Sequence, residues 1–320
     1  MTTLFGLGQG LFLALYTGQV YSLFKLLPPQ DGPLFYGIGS GLVLGLLIVG
    51  LIASVFHLGH PKKALGALTQ WRTSWLSREA ILLPVLLFLV FLYGGLHLLN
   101  WKPVLFSIGE GVQIDLTLMI GGVATLVCFG LYLATAMIYA SLRLLQEWAT
   151  PLTVINFLLL GGASGFTLAT TFAMTSAPQL VEFYGTWAIV ITLTGFCSRG
   201  ISLYRNSQLR YQSKLQSAIG IRHDQIRQLH QGAMGGNFNT KEFFHGREAE
   251  LLQQIQWGFL ILGFILPILL LTVGLVMETI ELLTAAVLIQ YTGLLLERWF
   301  FFADSKHPQN LYYRATNQHC

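Results

Sequence analysis

Charge is scarce in this sequence. Asp, Glu, Lys and Arg make up 10% of its 320 residues, against 54% hydrophobic, a balance that excludes an ordinary soluble domain. Cysteine is scarcer: Cys128, Cys197 and Cys320 are scattered and no CxxC occurs. The chain therefore carries no iron–sulfur or zinc signature of its own, and no structural disulfide is expected. Histidines able to face each other across a helical bundle, as a di-haem cytochrome b requires, are missing too. His57 and His60 fall at one membrane face and His97 near the other, so no haem is expected. Ionisable groups near the bilayer midplane are also lacking, because Asp115, Glu182, Glu278 and Glu281 fall at the ends of apolar runs. A transporter or proton channel thus has little support. No strand precedes Gly6-Leu-Gly8-Gln-Gly10, so this is no nucleotide loop, and no nucleic-acid partner is expected.

What the chain does have is long apolar runs and a mean hydropathy of +0.62. Runs of about 20 residues cross a bilayer core as helices. Eight occur, at roughly 4–24, 35–57, 80–99, 116–141, 152–176, 183–203, 252–277 and 279–297. The first has no basic n-region and no small-residue cleavage site, and reads as a retained span. The expectation is an all-α integral membrane protein with eight transmembrane helices, one domain over 1–320, and a basic insert at about 204–250.

Eight spans put both termini on one side, together with loops 58–79, 142–151 and about 199–251. That side holds 16 of the 18 Lys and Arg residues; Lys25 and Lys102 lie opposite. Basic residues stay cytoplasmic, so the termini and the 58–79 loop are expected in the cytoplasm of a bacterial inner membrane. Within the insert, Ile219, Ile221, Ile226 and Leu229 are spaced as one face of a short amphipathic helix. Asn239 or Thr240 reads as a helix N-cap. Such an insert binds anionic headgroups or docks a soluble partner. Gly6/Gly10 and Gly41/Gly45 fit G-x-x-x-G, and read as close helix packing. Gln9, Gln19, Asn156 and Gln290 read as polar links between helices, and Pro84 and Pro267 as kinks.

The chemistry concentrates between Phe56 and Glu79, in FHLGHPKKALGALTQWRTSWLSRE. His57 closes the second run and Glu79 precedes the third. Between them lie His60, Lys62, Lys63, Arg72 and Arg78, with Trp71 and Trp75 at headgroup level. Quinone chemistry needs hydrogen-bond donors to two carbonyl oxygens and a route for two protons, at membrane depth. A histidine and a desolvated carboxylate meet those needs. The plainer reading is that both are interfacial, with Glu79 paired to Arg78 or favoured by the helix dipole. The candidate quinone-site residues are His57 and Glu79, with His60, Arg72, Trp75 and Arg78 around them.

Three stretches, in order, resemble a known family. HLGHPKKALGAL…SWLSRE (His57–Glu79), GGNFNTKEFFHGR (Gly235–Arg247) and ERWFFFADSKHPQNLYY (Glu297–Tyr313) are similar to the membrane-anchor subunits of dimethyl sulfoxide reductases. The resemblance implies an eight-span anchor within a heterotrimer. Its partners would be a ferredoxin-like subunit with four iron–sulfur clusters and, through it, a molybdopterin catalytic subunit. The anchor would exchange electrons with quinone (ubiquinone or menaquinone), hold no metal, and use His57 and Glu79 at the quinone. In dimethyl sulfoxide reductases the catalytic module is exported. The charge bias here departs from that pattern and resembles the branch anchoring cytoplasm-facing sulfite dehydrogenases, in which quinone is reduced. An anchor oxidising quinol and a purely structural anchor remain as alternatives.

Overall fold

In lipid, backbone polar groups must be satisfied within the chain, and helices dominate accordingly. The computed structural model describes residues 1–30, 32–57, 66, 68–108, 112–209, 216–217, 220, 223 and 249–306. Most of the 204–250 insert, including its expected amphipathic face and N-cap, lies outside the described residues, as do His60, Lys62 and Lys63.

The helices are α1 (Thr2–Leu23), α2 (Ile38–His57), α3 (Trp75–Leu98), α4 (Leu116–Ala140), α5 (Pro151–Ser176), α6 (Val181–Ser207), α7 (Ala249–Leu260), α8 (Leu266–Met277) and α9 (Ile280–Ala303). A wide π segment at Gly32–Gly37 leads into α2, and another at Ile261–Ile265 joins α7 to α8. Polar residues set the starts. The Asp115 carboxylate accepts the Leu118 N–H at 2.8 Å at the head of α4. Ser74 caps α3, and Thr150 caps α5 with Pro151 behind it, a position where proline's missing N–H costs nothing. Glu278, in the left-handed region at φ 50°, turns α8 into α9. A short antiparallel hairpin, β1 (Val104–Ile108) and β2 (Val112–Asp115), joins α3 to α4. It is an addition to the all-α expectation.

Seven helical stretches among the described residues are long and apolar enough to cross a membrane: Gly32–Phe56, Trp75–Leu98, Leu116–Ala140, Pro151–Ser176, Pro178–Ser207, Glu250–Met277 and Ile280–Ala303. The remaining helix, α1, is 22 residues long but carries Gln9, Gln19 and four glycines. Its place in the fold explains that composition. It packs against α5, α2 and α4, and most of its residues are buried, so it has little lipid-facing surface to keep apolar.

Glycine makes the α1–α5 contact. A Cβ on Gly6 would sit 3.2 Å from the Gly161 Cα, one on Gly10 would strike the Gly161 carbonyl, and one on Gly165 would strike the backbone of Gly10. The expected packing role thus holds for Gly6/Gly10. Gly41 and Gly45 have nothing within 4 Å of an added Cβ; they face outward from α2, and the packing expectation for that pair is corrected. The four polar links are present. The Gln9 amide donates to the Cys128 carbonyl (3.1 Å), Gln19 to Thr117 Oγ1 (2.8 Å), Asn156 to Ser202 Oγ (2.8 Å) and Gln290 to Thr192 Oγ1 (3.2 Å). Pro84 lies within an uninterrupted α3. Pro267 follows the π segment, which absorbs the hydrogen bond that proline cannot make.

Adding a methyl group at Gly10 or Gly165 should lower the thermal midpoint of the detergent-solubilised protein, with overpacking costing about 1–3 kcal/mol. Gly41→Ala should leave it unchanged.

Candidate functional site

The site region begins where α2 ends and α3 begins. These two helices are antiparallel neighbours: at the opposite face, a Cβ on Gly94 would touch the Ser40 side chain, and one on Gly37 the Leu98 side chain. The His57 end of α2 therefore lies at the same face as the Trp75 end of α3. His97, in the last turn of α3, lies at the other face, and the two cannot share an iron. His57 is described only as the last residue of α2.

The turn before α3 is held by Arg78. Its Nε donates to the Trp71 carbonyl (2.9 Å), its Nη2 donates to the Arg72 carbonyl (2.8 Å), and the guanidinium lies 4.1 Å over the Trp75 ring. Arg72 lies over Trp71 at 5.4 Å. The α3 helix starts at Trp75, earlier than the expected 80, so Glu79 sits inside it. Consecutive helical residues point about 100° apart, and Glu79 turns away from Arg78 into the bundle. It is 7% exposed, and its Oε1 accepts a 2.7 Å hydrogen bond from Thr135 Oγ1 on α4. The expected pairing of Glu79 with Arg78 is therefore corrected. The arginines fix the loop, and Thr135 fixes the carboxylate.

A second polar cluster lies at the same face, and the sequence reading missed it. Glu297 on α9 lies between Arg199 Nε of α6 and Arg298 Nε, each 2.9 Å away. The oxygens sit off the N–H axes, so these contacts are ionic in character. The Arg298 guanidinium stacks 3.8 Å over Phe157 and 5.3 Å from Phe301. Its Nη1 is buried without a hydrogen-bond partner among the described residues. Around it, Trp148 Nε1 donates to the Phe301 carbonyl (2.9 Å), and Glu147 Oε1 accepts the Lys306 N–H (3.1 Å). Near the mouth, burial pushes the Asp304 carboxyl above the usual carboxylate range; Glu147 adds to the shift, while Arg199 and Lys306 oppose it.

Two small cavities flank Arg298. One, of about 20 Å³, lies against α1, α4, α5 and α9 and is lined by Thr135, Gln9, Tyr132, Ser164 and Arg298. The other, of about 10 Å³, is lined by Glu297, Arg298, Glu147, Asn206 and Asp304. The cluster lies toward the ends of α6 and α9 and not at the midplane, and α9 continues to Ala303, beyond the expected end at 297. One signal was available: Arg199 lies within the run 183–203, where an unpaired cation is costly.

Residues 36–313 match the family of the DMSO reductase anchor subunit (DmsC). The chain belongs to that family. A sulfite dehydrogenase subunit from Allochromatium vinosum is 50% identical over 316 residues, covering 99% of this chain and 97% of that protein. The family match takes in all three resembling stretches and, with them, the α3 start and the Arg199–Glu297–Arg298 cluster. A DmsC-family chain is an anchor subunit, and the seven apolar helices make this one a multi-pass membrane protein.

Removing the central carboxylate with Glu297→Ala leaves two buried guanidinium groups without their shared counter-charge. The variant should lose about 3–5 kcal/mol of stability, read as a large drop in thermal midpoint. The Asp304 shift carries a sign. A carboxyl raised in the fold contributes stability below the ordinary Asp range, and that contribution is lost as pH rises through the raised value. Relative to wild type, Asp304→Asn should therefore gain thermal midpoint across that window as pH increases.

Proposed function

We propose that this chain is the quinone-reactive anchor of a molybdoenzyme, passing electrons from an iron–sulfur subunit to the quinone pool during sulfite oxidation. The observation that carries the reading is Glu79: a buried carboxyl at one membrane face, held by one neutral hydroxyl and set beside the helix end that bears His57. That setting suits a neutral, hydrogen-bonding ligand whose tail stays in lipid. Quinone, when bound, takes up two electrons and two protons. Glu79 holds a proton at its carboxyl and delivers it toward the ligand, then regains one through Thr135. His57 supplies the second hydrogen-bonding group from the end of α2. Arg78, bound to the Trp71 and Arg72 carbonyls and stacked on the Trp75 ring, holds the turn that leads into α3 beside the site. His60 adds a further titratable group in that loop.

The substrate follows from likeness to the Allochromatium vinosum protein, whose name carries sulfite dehydrogenase, and from the basic bias of the site's face. Taking α1 as an eighth span, about 33 Å long at 1.5 Å per residue, places both termini on that face, which we assign to the cytoplasm of the bacterial inner membrane. A ferredoxin-like subunit, and through it a molybdopterin subunit, would dock there on the 204–250 insert and the basic tail. Ubiquinone and menaquinone both suit the site.

In the assembled complex, Glu79→Gln or His57→Gln should reduce quinone-linked sulfite oxidation by about 10²–10⁴-fold. Activity with a soluble artificial acceptor should persist. Retained quinone turnover in the double variant would refute the site. Single cysteines at Lys62 and Gln70, in a background without the native cysteines, should resist an impermeant thiol reagent until cells are lysed. Labelling in intact cells would favour an exported, quinol-oxidising enzyme instead.

A further inference from the structure

Glu79 faces the bundle, 7% exposed, so the polar groups on its inner side are candidates for its proton supply. Several polar groups lie on its inner side. Thr135 Oγ1 donates to Glu79 at 2.7 Å and also lines the cavity of about 20 Å³, where its lone pairs can accept from a water. Arg298 forms a wall of that cavity and of the next, which ends at Glu147, Asn206 and Asp304.

We propose that the two cavities hold the waters that carry protons from Glu147 and Asp304, at the membrane face, past the Glu297–Arg298 pair to Thr135 and Glu79. This rests on the reading of Glu79 as the proton donor to quinone, and extends it to the supply route.

Size and chemistry favour water as the occupant. One water needs a cavity of roughly 10–15 Å³, which both spaces approach or exceed, and neither admits a quinone ring. Buried polar atoms lacking protein partners are commonly satisfied by water, and Arg298 Nη1 is such an atom beside these cavities. Around the outer cavity the guanidinium groups of Arg199 and Arg298 are accompanied by three carboxyls, Glu147, Glu297 and Asp304, with Lys306 at the mouth. The raised Asp304 carboxyl suits a group that collects protons from the aqueous side.

The step balances. When Glu79 gives up a proton, the Thr135 hydroxyl proton moves to Glu79 Oε1, and a cavity water re-protonates Thr135. The deficit passes along the waters to Asp304 or Glu147, which rebind a proton from solvent. No electron moves in this segment.

The test uses the assembled complex in nanodiscs, with Thr135→Val, Thr135→Ser and the double variant Glu147→Gln/Asp304→Asn. Thr135→Val should lower kcat for quinone on the order of 10²-fold with KM unchanged, and Thr135→Ser, which keeps the hydroxyl, should restore the lost rate. The double variant should lower kcat increasingly as pH rises and free protons become scarce. Exchange of the Glu79 carboxyl with D₂O, read by infrared spectroscopy and assigned with Glu79→Gln, should slow in Thr135→Val. Wild-type exchange and wild-type kcat in Thr135→Val would overturn the route. If Glu79→Gln itself keeps quinone turnover, the reading of the site fails instead, and the exchange rate still decides the route.

Discussion

The close approach of α1 to α5 is the contact on which the arrangement of the bundle depends. Backbone meets backbone where Gly10 passes Gly161 and Gly165, and in lipid such contact relies on van der Waals packing alone, with no hydrophobic force to help. Because α1 is enclosed by α2, α4 and α5, it can carry Gln9 and Gln19 without exposing them to hydrocarbon. Those amides in turn tie α1 to α4 through the Cys128 carbonyl and Thr117. The helix bearing Thr135 is thereby set beside Glu79. A central helix that is polar and glycine-rich is what gives the outer, apolar helices something to pack around.

The second constraint is electrostatic. Arg199, Glu297 and Arg298 are all near the end of a helix and all inside it, and their mutual pairing and the aromatic faces of Phe157 and Phe301 replace the water they lack. This cluster and Glu79 share one end of the bundle. The opposite end is quieter: Asp115 is used up as a cap and as acceptor for Thr117, whose hydroxyl accepts from Gln19, and Tyr93 donates to that same Gln19. Charged groups at the two faces therefore differ in kind, structural on one side and placed around cavities on the other.

Much of this was legible in the sequence. Uniform apolar runs mark helices in a membrane regardless of which face packs inward, so span positions, the glutamine and asparagine links, and the placing of Glu79 and His57 at one face could be read directly. What could not be read was direction. Whether Glu79 pairs with Arg78 or with Thr135 depends on the helix starting at Trp75, a choice made by the Ser74 cap and by Arg78 reaching back to two carbonyls. The difference between Gly10 and Gly41 is equally invisible, since both sit in G-x-x-x-G spacing and only tertiary contact separates them. The pairing of Arg199 with Glu297 and Arg298 was hidden because it joins two helices about a hundred residues apart in sequence, and only tertiary contact brings them together.

The π segment at Ile261–Ile265 also has a geometric result. Phe259 and Phe264 are both buried although five positions apart, and from there burial continues through Pro267, Leu271 and Gly274 at ordinary helical spacing. One extra residue in a turn shifts the phase of everything after it by about 100°. Without that shift, the buried stripe of α7 would run out to lipid along α8, and the long rod could follow α9 over only half its length. The bulge re-times the two halves so that a single straight partner serves both, with Gly263 and Gly293 meeting at the point of adjustment.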